Sequence, residues 1–505
     1  MECDVAIGGY GPVGALLANL LGRQGVRTVV IERDREVYRL PRAVHFDAEV
    51  MRIFQSVGLA DAALTDTAPI RGYEFHNGNH DLLFRFAIDG KLTSQGWRPD
   101  YMFHQPSLEA CLRDAGAKRE TVDVYLDCEV VSFEESAESV KLDFRDRNSG
   151  ESRTLTARYV VGCDGANSLV RKHAGLEIDD LGFDEPWLVV DARTELPQAE
   201  RGLPDYCLQL CDPERPVTFI PVVGPYIRWE FMLKPGETKE EMLRPERVSE
   251  LIAEWIDPSQ LEVIRAAVYD FHALVAKRWN TKRVFLAGDS AHQMPPFLGQ
   301  GMCSGLRDAA NLGWKLALVT SGAASESLLA SYQAEREPNV RQVIGTAVEM
   351  GRIICTQDPE AARARDASFI ERPSSTLEIP DMPGLATGVV YSGSVLAGKL
   401  ALQARVRAED GGIALLDDVT GPGFTLLLRG APEAPLRDGA GAVLERIGAK
   451  LVSIDREMDV DGAYRKWFDR HECDAVLVRP DHQVFGAATG VDAASELLEA
   501  FALHL

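Results

Sequence analysis

The sequence predicts an α/β protein of several domains: a doubly wound parallel sheet, a mixed sheet inserted into it, and a small α/β unit at the C-terminal end. Three observations predict it. A short apolar strand at 5–7 runs into Gly9-Tyr10-Gly11-Pro12-Val13-Gly14, after which a helix and a second β-rich run follow. Two later apolar runs, 159–162 and 284–287, each end on an adjacent Asp and Gly. Between them, from about 181 to 271, strand-like runs recur at hairpin spacing between Pro- and Gly-rich turns. A chain of 505 residues is too long for one ordinary core, which agrees with this division.

The first helix is expected at 12–24, where Val13, Leu16, Leu17, Leu20 and Leu21 recur at helical spacing, and Gly25 ends it before a strand at 26–31. Strand, helix, strand is a βαβ unit and requires parallel pairing. Further helices are expected at 48–57 and 108–117, with an antiparallel hairpin between them carried by Tyr73, Phe75 and the run 83–88. Alternating strands continue at 122–133 and 140–144. The inserted region should hold strands at 187–192, 206–210, 217–223 and 226–233 and a helix at about 248–256, and a long helix at 305–321 should follow the strand at 284–287. Residues 356–394 are rich in Pro, Ser, Asp and Gly and read as a linker. Beyond it, strands at 413–417, 424–428, 451–454, 475–478 and 484–485 alternate with helices near Val443, Tyr464 and Leu497. The expected domains are thus 1–180 with 272–355, then 181–271, then 395–505 after the linker.

The net charge of −23 disfavours nucleic acid and anionic membranes as partners, while 46% hydrophobic residues are ample for burial. The uncharged stretch 5–22 is broken by glycines and a proline, and the acidic start lacks the basic end of a secretory signal. A cytoplasmic protein is expected, and nine scattered cysteines suit a reducing compartment. Cys207 with Cys211, and His76 with His80, share a four-residue spacing without a second ligand pair, so two thiols and a hairpin turn are expected there rather than a metal.

Gly9, Gly11 and Gly14 carry the dinucleotide pattern. The first glycine suits a tight turn, the second close approach of a pyrophosphate, and the third close helix–strand packing. Pro12 and Val13 open the helix, whose free N–H groups attract phosphate. Glu32, about twenty residues on, is placed to bind ribose hydroxyls. At this point NAD and FAD are both open.

Two further segments narrow the choice: Tyr159-Val160-Val161-Gly162-Cys163-Asp164-Gly165-Ala166-Asn167-Ser168 with Arg171, and Arg283-Val284-Phe285-Leu286-Ala287-Gly288-Asp289-Ser290-Ala291-His292 continuing through Pro295-Pro296 to Gly299-Gln300-Gly301. With the glycine turn, in this order, they resemble the class A flavoprotein monooxygenases over about residues 3–350. Within that group the chain is most similar to the 3-(3-hydroxyphenyl)propionate hydroxylase and phenol hydroxylase branch. Pro41-Arg42-Ala43, Gln55-Ser56-Val57-Gly58-Leu59, Cys211-Asp212-Pro213, Arg307-Asp308-Ala309-Ala310-Asn311-Leu312 and Val478-Arg479-Pro480-Asp481 add to the likeness.

The resemblance implies an FAD-binding, glutathione-reductase-like domain, an inserted substrate sheet and a thioredoxin-like C-terminal domain. It assigns Asp289, with Gly288, to the ribityl chain of FAD. Asp164 and Gly165 go to the pyrophosphate and the nicotinamide path, and Arg42 to pyrophosphate charge. Gln105 should contact the ribityl or ring region, Arg33 and Val130 should join the cofactor set, and Pro296 with Gly299, Gln300, Gly301 and Met302 should line the flavin ring. Cys303 stands where many relatives carry Asn, so backbone or Ser304 must replace that contact, and no base is paired with the thiol for nucleophilic work. His292 should orient its loop. His45 is either a satisfied core side chain or the group that accepts a phenolic proton, and Tyr206, Tyr226 and Arg228 are pocket candidates on the inserted sheet.

The activity implied is hydroxylation of a small phenol with O2 and either NADH or NADPH, through a flavin hydroperoxide. The alternatives are a flavin dehydrogenase, reductase or halogenase, or a non-catalytic escort protein. The halogenase Trp-x-Trp-x-Ile-Pro segment is missing, and an escort has no use for Arg42, Asp164 and Asp289. The last domain has Cys473 but no Cys-x-x-Cys pair, so packing or homodimer formation is expected of it, not disulfide exchange.

Overall fold

Residues 5–8 are apolar enough to be buried on both faces, and their strand forms the centre of the parallel part of a sheet. The computed structural model describes residues 1–88, 90–372, 374–379, 382–432 and 434–505. Strand Glu2–Gly8 pairs in parallel with Thr28–Ile31 on one side and Ser152–Gly162 on the other, and Val122–Tyr125 extends the sheet beyond Thr28–Ile31. The far edge of Ser152–Gly162 is shared by Val140–Asp146, antiparallel, and Val284–Leu286, parallel. Helix Pro12–Arg23 buries Leu16, Leu17 and Leu21, and its Leu17 and Leu20 meet Gly313 of helix Gly301–Thr320. That second helix begins four residues earlier than its hydrophobic spacing suggests, because Gly301 to Ser304 form its first turn.

A nine-stranded mixed sheet is the second layer. Its order is His292–Gln293, Glu262–Ala276, Ile178–Arg193, Tyr226–Met232, Val217–Ile220, Cys207–Cys211, Gly72–Asn77, Leu82–Ala87 and Thr376–Leu377. Two features were not legible. The hairpin Gly72–Asn77/Leu82–Ala87 joins this sheet by parallel pairing with Cys207–Cys211, far away in sequence. Strand Glu262–Ala276 is long but half-exposed, so it lacks a clean alternation; pairing with Ile178–Arg193 along its length secures it. One face of the sheet packs Leu188, Val190, Phe219, Trp229 and Phe231 under helix Pro245–Ala253.

The stretch expected as a linker, 356–394, contains helix Pro359–Ile370, whose start is capped by the Asp358 carboxylate accepting from the Glu360 and Ala361 amides. Pro359 at the first helical position and the Ala-rich interior favour helix there, against the surrounding Pro and Ser. Its Pro373, Pro380 and Asp381 lie outside the described residues. Helix Ser331–Ile354, which precedes it, had no counterpart in the sequence reading.

The C-terminal unit pairs Lys450–Ile454 in parallel with Thr425–Arg429, across helix Asp438–Arg446, and adds Ala475–Val478 and Val484–Ala488 antiparallel. That is a thioredoxin-like order. Cys473 is buried and its thiol is pushed up to about 11, first by burial and then by Asp474.

A buried ionic cluster ties this unit to the first domain. Arg479 has no exposed surface; its guanidinium meets Glu335 at 2.7 Å and Asp481 at 2.6 Å and donates to the Val389 carbonyl, while Asn311 and Lys315 also reach Glu335. Removing one partner of a buried ion pair strands the other charge. Arg479→Ala is therefore expected to lower stability by about 3–5 kcal/mol, read as a shifted urea midpoint; an unchanged midpoint would show that the cluster holds nothing together. Among the described residues no helix is long and apolar enough to cross a membrane.

Candidate active site

The strand ends of the parallel sheet converge on the glycine turn. Gly9 has φ +100°, and a Cβ there would stand 2.5 Å from the Cys163 carbonyl oxygen; a Cβ on Gly14 would stand 2.1 Å from the Gly9 carbonyl oxygen. Only glycine permits this approach of the turn to the end of strand Ser152–Gly162. Gly11 faces open space, and Pro12 opens the helix with no side-chain cap and no acid in its first turn. The helix start thus presents free N–H groups to an anion. Val13 packs over Gly288 and Gly305, which brings the third segment to the same crevice.

The acids around this turn do different work. Glu32 is buried and accepts from the amides of Tyr10 (2.6 Å) and Asp34 (2.9 Å), so it closes the turn and keeps lone pairs for ribose hydroxyls. Asp164 accepts from the Ser168 hydroxyl and the Leu169 and Val170 amides, so its carboxylate braces its own loop beside Gly165. Asp289 differs: among the described residues its carboxylate accepts no hydrogen bond. Its side chain is open to the crevice, and the loss of bulk solvent around it raises its pKa, against the pull of His292 and Arg42. Arg42 is exposed, with its guanidinium over the Tyr38 ring, and Gln105 accepts from the Arg42 and Ala43 amides at 2.7 and 2.8 Å. Arg33 is exposed beside Asp34, and Val130 packs beneath Gly8. A glycine turn, a bare helix start, an exposed cation and an open carboxylate in one crevice suit the pyrophosphate, ribose and ribityl groups of FAD.

The next stretch of that crevice is built by Pro296–Leu298, Gly299 in the left-handed region, and the helix beginning at Gly301. His45 packs against it. Its Nδ1 is 3.3 Å from the Gly299 carbonyl oxygen, and its Nε2 is 2.5 Å from Asp100 Oδ1. The Tyr73 hydroxyl donates to the other Asp100 oxygen. His45 and Asp100 are 8% and 6% exposed, so this pair is buried, with Tyr73 half-buried beside it. His45 Nε2 and Asp100 Oδ1 are in direct buried contact, and among the described residues neither atom has another partner. Burial alone would lower the His45 pKa, but the charges of Asp100 and Asp47 and the Gly299 carbonyl raise it above its ordinary value of 6.5.

Arg307 locks this arrangement. It reaches Asp47 at 2.5 Å, Glu49 at 2.5 Å and Gln300 Oε1 at 2.9 Å, and Gln300 in turn donates to Asp47. Met302 is half-buried; Cys303 is fully buried and its thiol is held far above its ordinary pKa, chiefly by burial, so it stays protonated. His292 meets Asp308 at 2.7 Å, which also accepts from Arg336 and the Gly288 amide.

An apolar cluster of Val44, Ile70, Met102, Cys207 and Val222 lies beside Tyr73, with Tyr226 against it. Tyr226 stacks on His104, ring centres 4.6 Å apart. The structure does not offer Arg228 to an open pocket: it binds Asp191 at 2.7 Å and donates to the Pro41 and Arg42 carbonyls, clamping the sheet onto the Arg42 segment. Tyr206 packs toward the outer cluster and over His76. His76 and His80 flank the hairpin turn, and Cys207 and Cys211 are buried thiols on one strand. Asp100, Tyr73, Asp47 and Arg307 were not singled out from the sequence as site residues.

The FAD binding domain family matches residues 2–347, and the HcaD C-terminal domain family matches 398–503. The chain is 38% identical over 499 residues to a protein of Rhodococcus jostii (strain RHA1) named as a probable NADH-specific resorcinol 4-hydroxylase, covering 96% of this chain and 92% of that one. It is 36% identical to a 3-(3-hydroxy-phenyl)propionate/3-hydroxycinnamic acid hydroxylase of Burkholderia cenocepacia (strain HI2424), covering 99% and 96%. Among solved structures it is similar to aklavinone-11 hydroxylase in complex with FAD and aklavinone, with a TM-score of 0.81, 26% identity, and 100% and 99% of the two chains covered. The flavin-dependent monooxygenase PieE in complex with FAD and substrate shares the fold, with a TM-score of 0.84, 24% identity, and the same coverage.

Proposed function

Because the chain belongs to the FAD-binding family of flavin-dependent aromatic hydroxylases, we propose that it hydroxylates a phenol, with His45 and Asp100 receiving the phenolic proton. The observation that carries this reading is the buried His45–Asp100 pair, with Tyr73 beside it, set against the Gly299 carbonyl. When bound, FAD supplies the redox chemistry, taking electrons from a nicotinamide and activating dioxygen for transfer to the ring.

The protein's own residues supply binding, orientation and proton handling. Asp289 accepts from ribityl hydroxyls, Glu32 from ribose, and the start of helix Pro12–Arg23 and Arg42 face the pyrophosphate. A phenol brought to this pair would give its proton to the His45 imidazole, and the Asp100 carboxylate would stabilise the resulting imidazolium. Deprotonation makes the ring electron-rich at the carbon to be attacked. The Val44–Met102–Val222 cluster and the Tyr226–His104 stack exclude water from the ring. The relative named as NADH-specific makes NADH the reductant we infer.

The test is to purify the protein with FAD and follow NADH and NADPH oxidation, oxygen uptake and product with a panel of phenols. Phenol-stimulated oxidation of NADH with one hydroxylated product per oxygen consumed is expected. A protein that binds FAD yet hydroxylates no phenol would overturn the reading.

A further inference from the structure

The inner face of the nine-stranded sheet carries a buried acid that the reaction above does not use. Cross-strand register arranges this face in rows. One row runs through Asp191, Arg228 and Ile220 and continues to Cys207 and Tyr73, where it meets Asp100. Another holds Trp187 beside Met232, and Trp187 packs edge-on against Phe297 of the Pro296–Leu298 turn, ring centres 5.6 Å apart. The row between them holds Val189, Glu230, Thr218 and Gln209. It therefore lies between the row that reaches Asp100 and the row that meets the Pro296 turn.

Glu230 is 5% exposed, and among the described residues its carboxyl accepts no hydrogen bond. Arg228 approaches one of its oxygens only to 3.8 Å, and that guanidinium is already held by Asp191 and two backbone carbonyls. Its neighbours are polar as well: the Thr218 hydroxyl donates to Gln209 Oε1 at 2.6 Å, which leaves the Gln209 amide N–H groups and the Thr218 lone pairs for a further partner. Cys207 lies on the row that reaches Asp100, next to the row of Glu230, and burial with the charges of both acids raises its pKa. Burial raises the Glu230 pKa to about 6, against the pull of Arg228, as for a carboxyl with no partner of its own. Buried polar groups are satisfied in folded proteins as a rule, and an orphan in a binding space awaits its ligand.

We propose that Glu230, with Gln209 and Thr218, holds a second hydroxyl of the aromatic substrate, so that the site selects an uncharged ring with two non-adjacent hydroxyls over a phenol bearing a carboxylate chain. This rests on the reading that His45 and Asp100 receive the first hydroxyl. Two separate polar contacts with apolar surface between them match two hydroxyls apart on one ring. A carboxylate brought to the same floor would face Glu230, while Arg228 and Arg265 are both held by Asp191 at 2.7 and 2.6 Å, and burying it there without a cation of its own is unfavourable.

The experiment uses the FAD-loaded enzyme and three probes: 1,3-dihydroxybenzene, phenol and 3-(3-hydroxyphenyl)propionate. Binding is read from the perturbed flavin spectrum and turnover from product. The wild type is expected to favour the diol over phenol by about 10–100-fold in kcat/KM, and over the carboxylated phenol by about 100-fold or more, because a site built to bond a hydroxyl rejects what lacks or replaces it. Glu230→Leu should bring the diol-to-phenol ratio in kcat/KM down to about one. Glu230→Gln, which keeps hydrogen-bonding capacity without charge, should retain part of the diol preference and admit the carboxylated phenol better than the wild type does. A wild-type preference for the carboxylated phenol overturns the proposal without needing any variant to fold. So does an unchanged diol-to-phenol ratio in a flavin-loaded Glu230→Leu enzyme. If the diol binds in a Glu230-dependent way but no hydroxylated product forms, the recognition stands and the assigned reaction falls.

Discussion

Asp289→Ala will fold like the wild type and come off the column largely without flavin. The residue gives nothing to the protein's own hydrogen bonding among the described residues, so its removal leaves no internal donor unsatisfied and the unfolding midpoint should barely move. Its loss is felt by the ligand. A carboxylate accepting from two hydroxyls makes two charge-assisted bonds of about 1.5–3 kcal/mol each, so FAD affinity should fall by about 10²–10⁴-fold. The check is the ratio of flavin to protein absorbance on purification, followed by titration of the apoprotein with FAD. Asp289→Asn should fall between the two, since an amide oxygen still accepts but carries no charge. Wild-type affinity in Asp289→Ala would remove the residue from the cofactor site.

What was legible in the sequence is what depends on neighbours in the chain. The glycine turn, the helix behind it and the strands ending on Asp164 and before Asp289 are local patterns, and the structure brings all three to one crevice. Strand-like runs at hairpin spacing also located the inserted sheet and the C-terminal unit, and the family resemblance added their roles. The groups that complete the chemistry depend on pairing between distant segments. Asp100 stands before an unremarkable apolar run, and only the antiparallel pairing of His45–Asp47 with Asp100–Phe103 brings it beneath the His45 ring. Tyr73 looks like any alternating hairpin residue until its hydroxyl meets Asp100. Arg228 shows the converse. A buried arginine on a strand reads the same from sequence whether it faces a substrate or, as here, grips Asp191 and the carbonyls behind Arg42. Glu32 and Asp164, read as ligand groups, also accept backbone amides of their own turns, a second task that residue type does not reveal. Residue type and spacing locate a polar side chain; they do not tell which partner has already claimed it.

His45→Ala should retain FAD and its reduction by NADH yet lose about 10²–10⁴-fold in the rate of ring hydroxylation near neutral pH, the range a positioned general base contributes. The pH profile separates a base from a packing residue. The neutral imidazole is the form that accepts a proton, so activity must rise with pH as His45 loses its own. Asp100 and Asp47 raise its pKa against the effect of burial, which places the rise above pH 6.5. Asp100→Asn removes the largest of the raising influences. It should lower the maximal rate, because the imidazolium loses its stabilising charge, and at the same time move the rise to lower pH. Asp47→Asn should move it the same way by less, with Arg307 then left short of one of its two carboxylates. A purely structural role predicts lower activity at every pH with no movement of the curve. A second reading comes from the substrate: a phenol made more acidic by an electron-withdrawing substituent arrives already ionised and does not need the base. His45→Ala should therefore recover most of its lost rate on such a phenol, or at a pH high enough to ionise an ordinary one. A deficit that persists with an ionised substrate would show that His45 orients the ring and takes no proton from it.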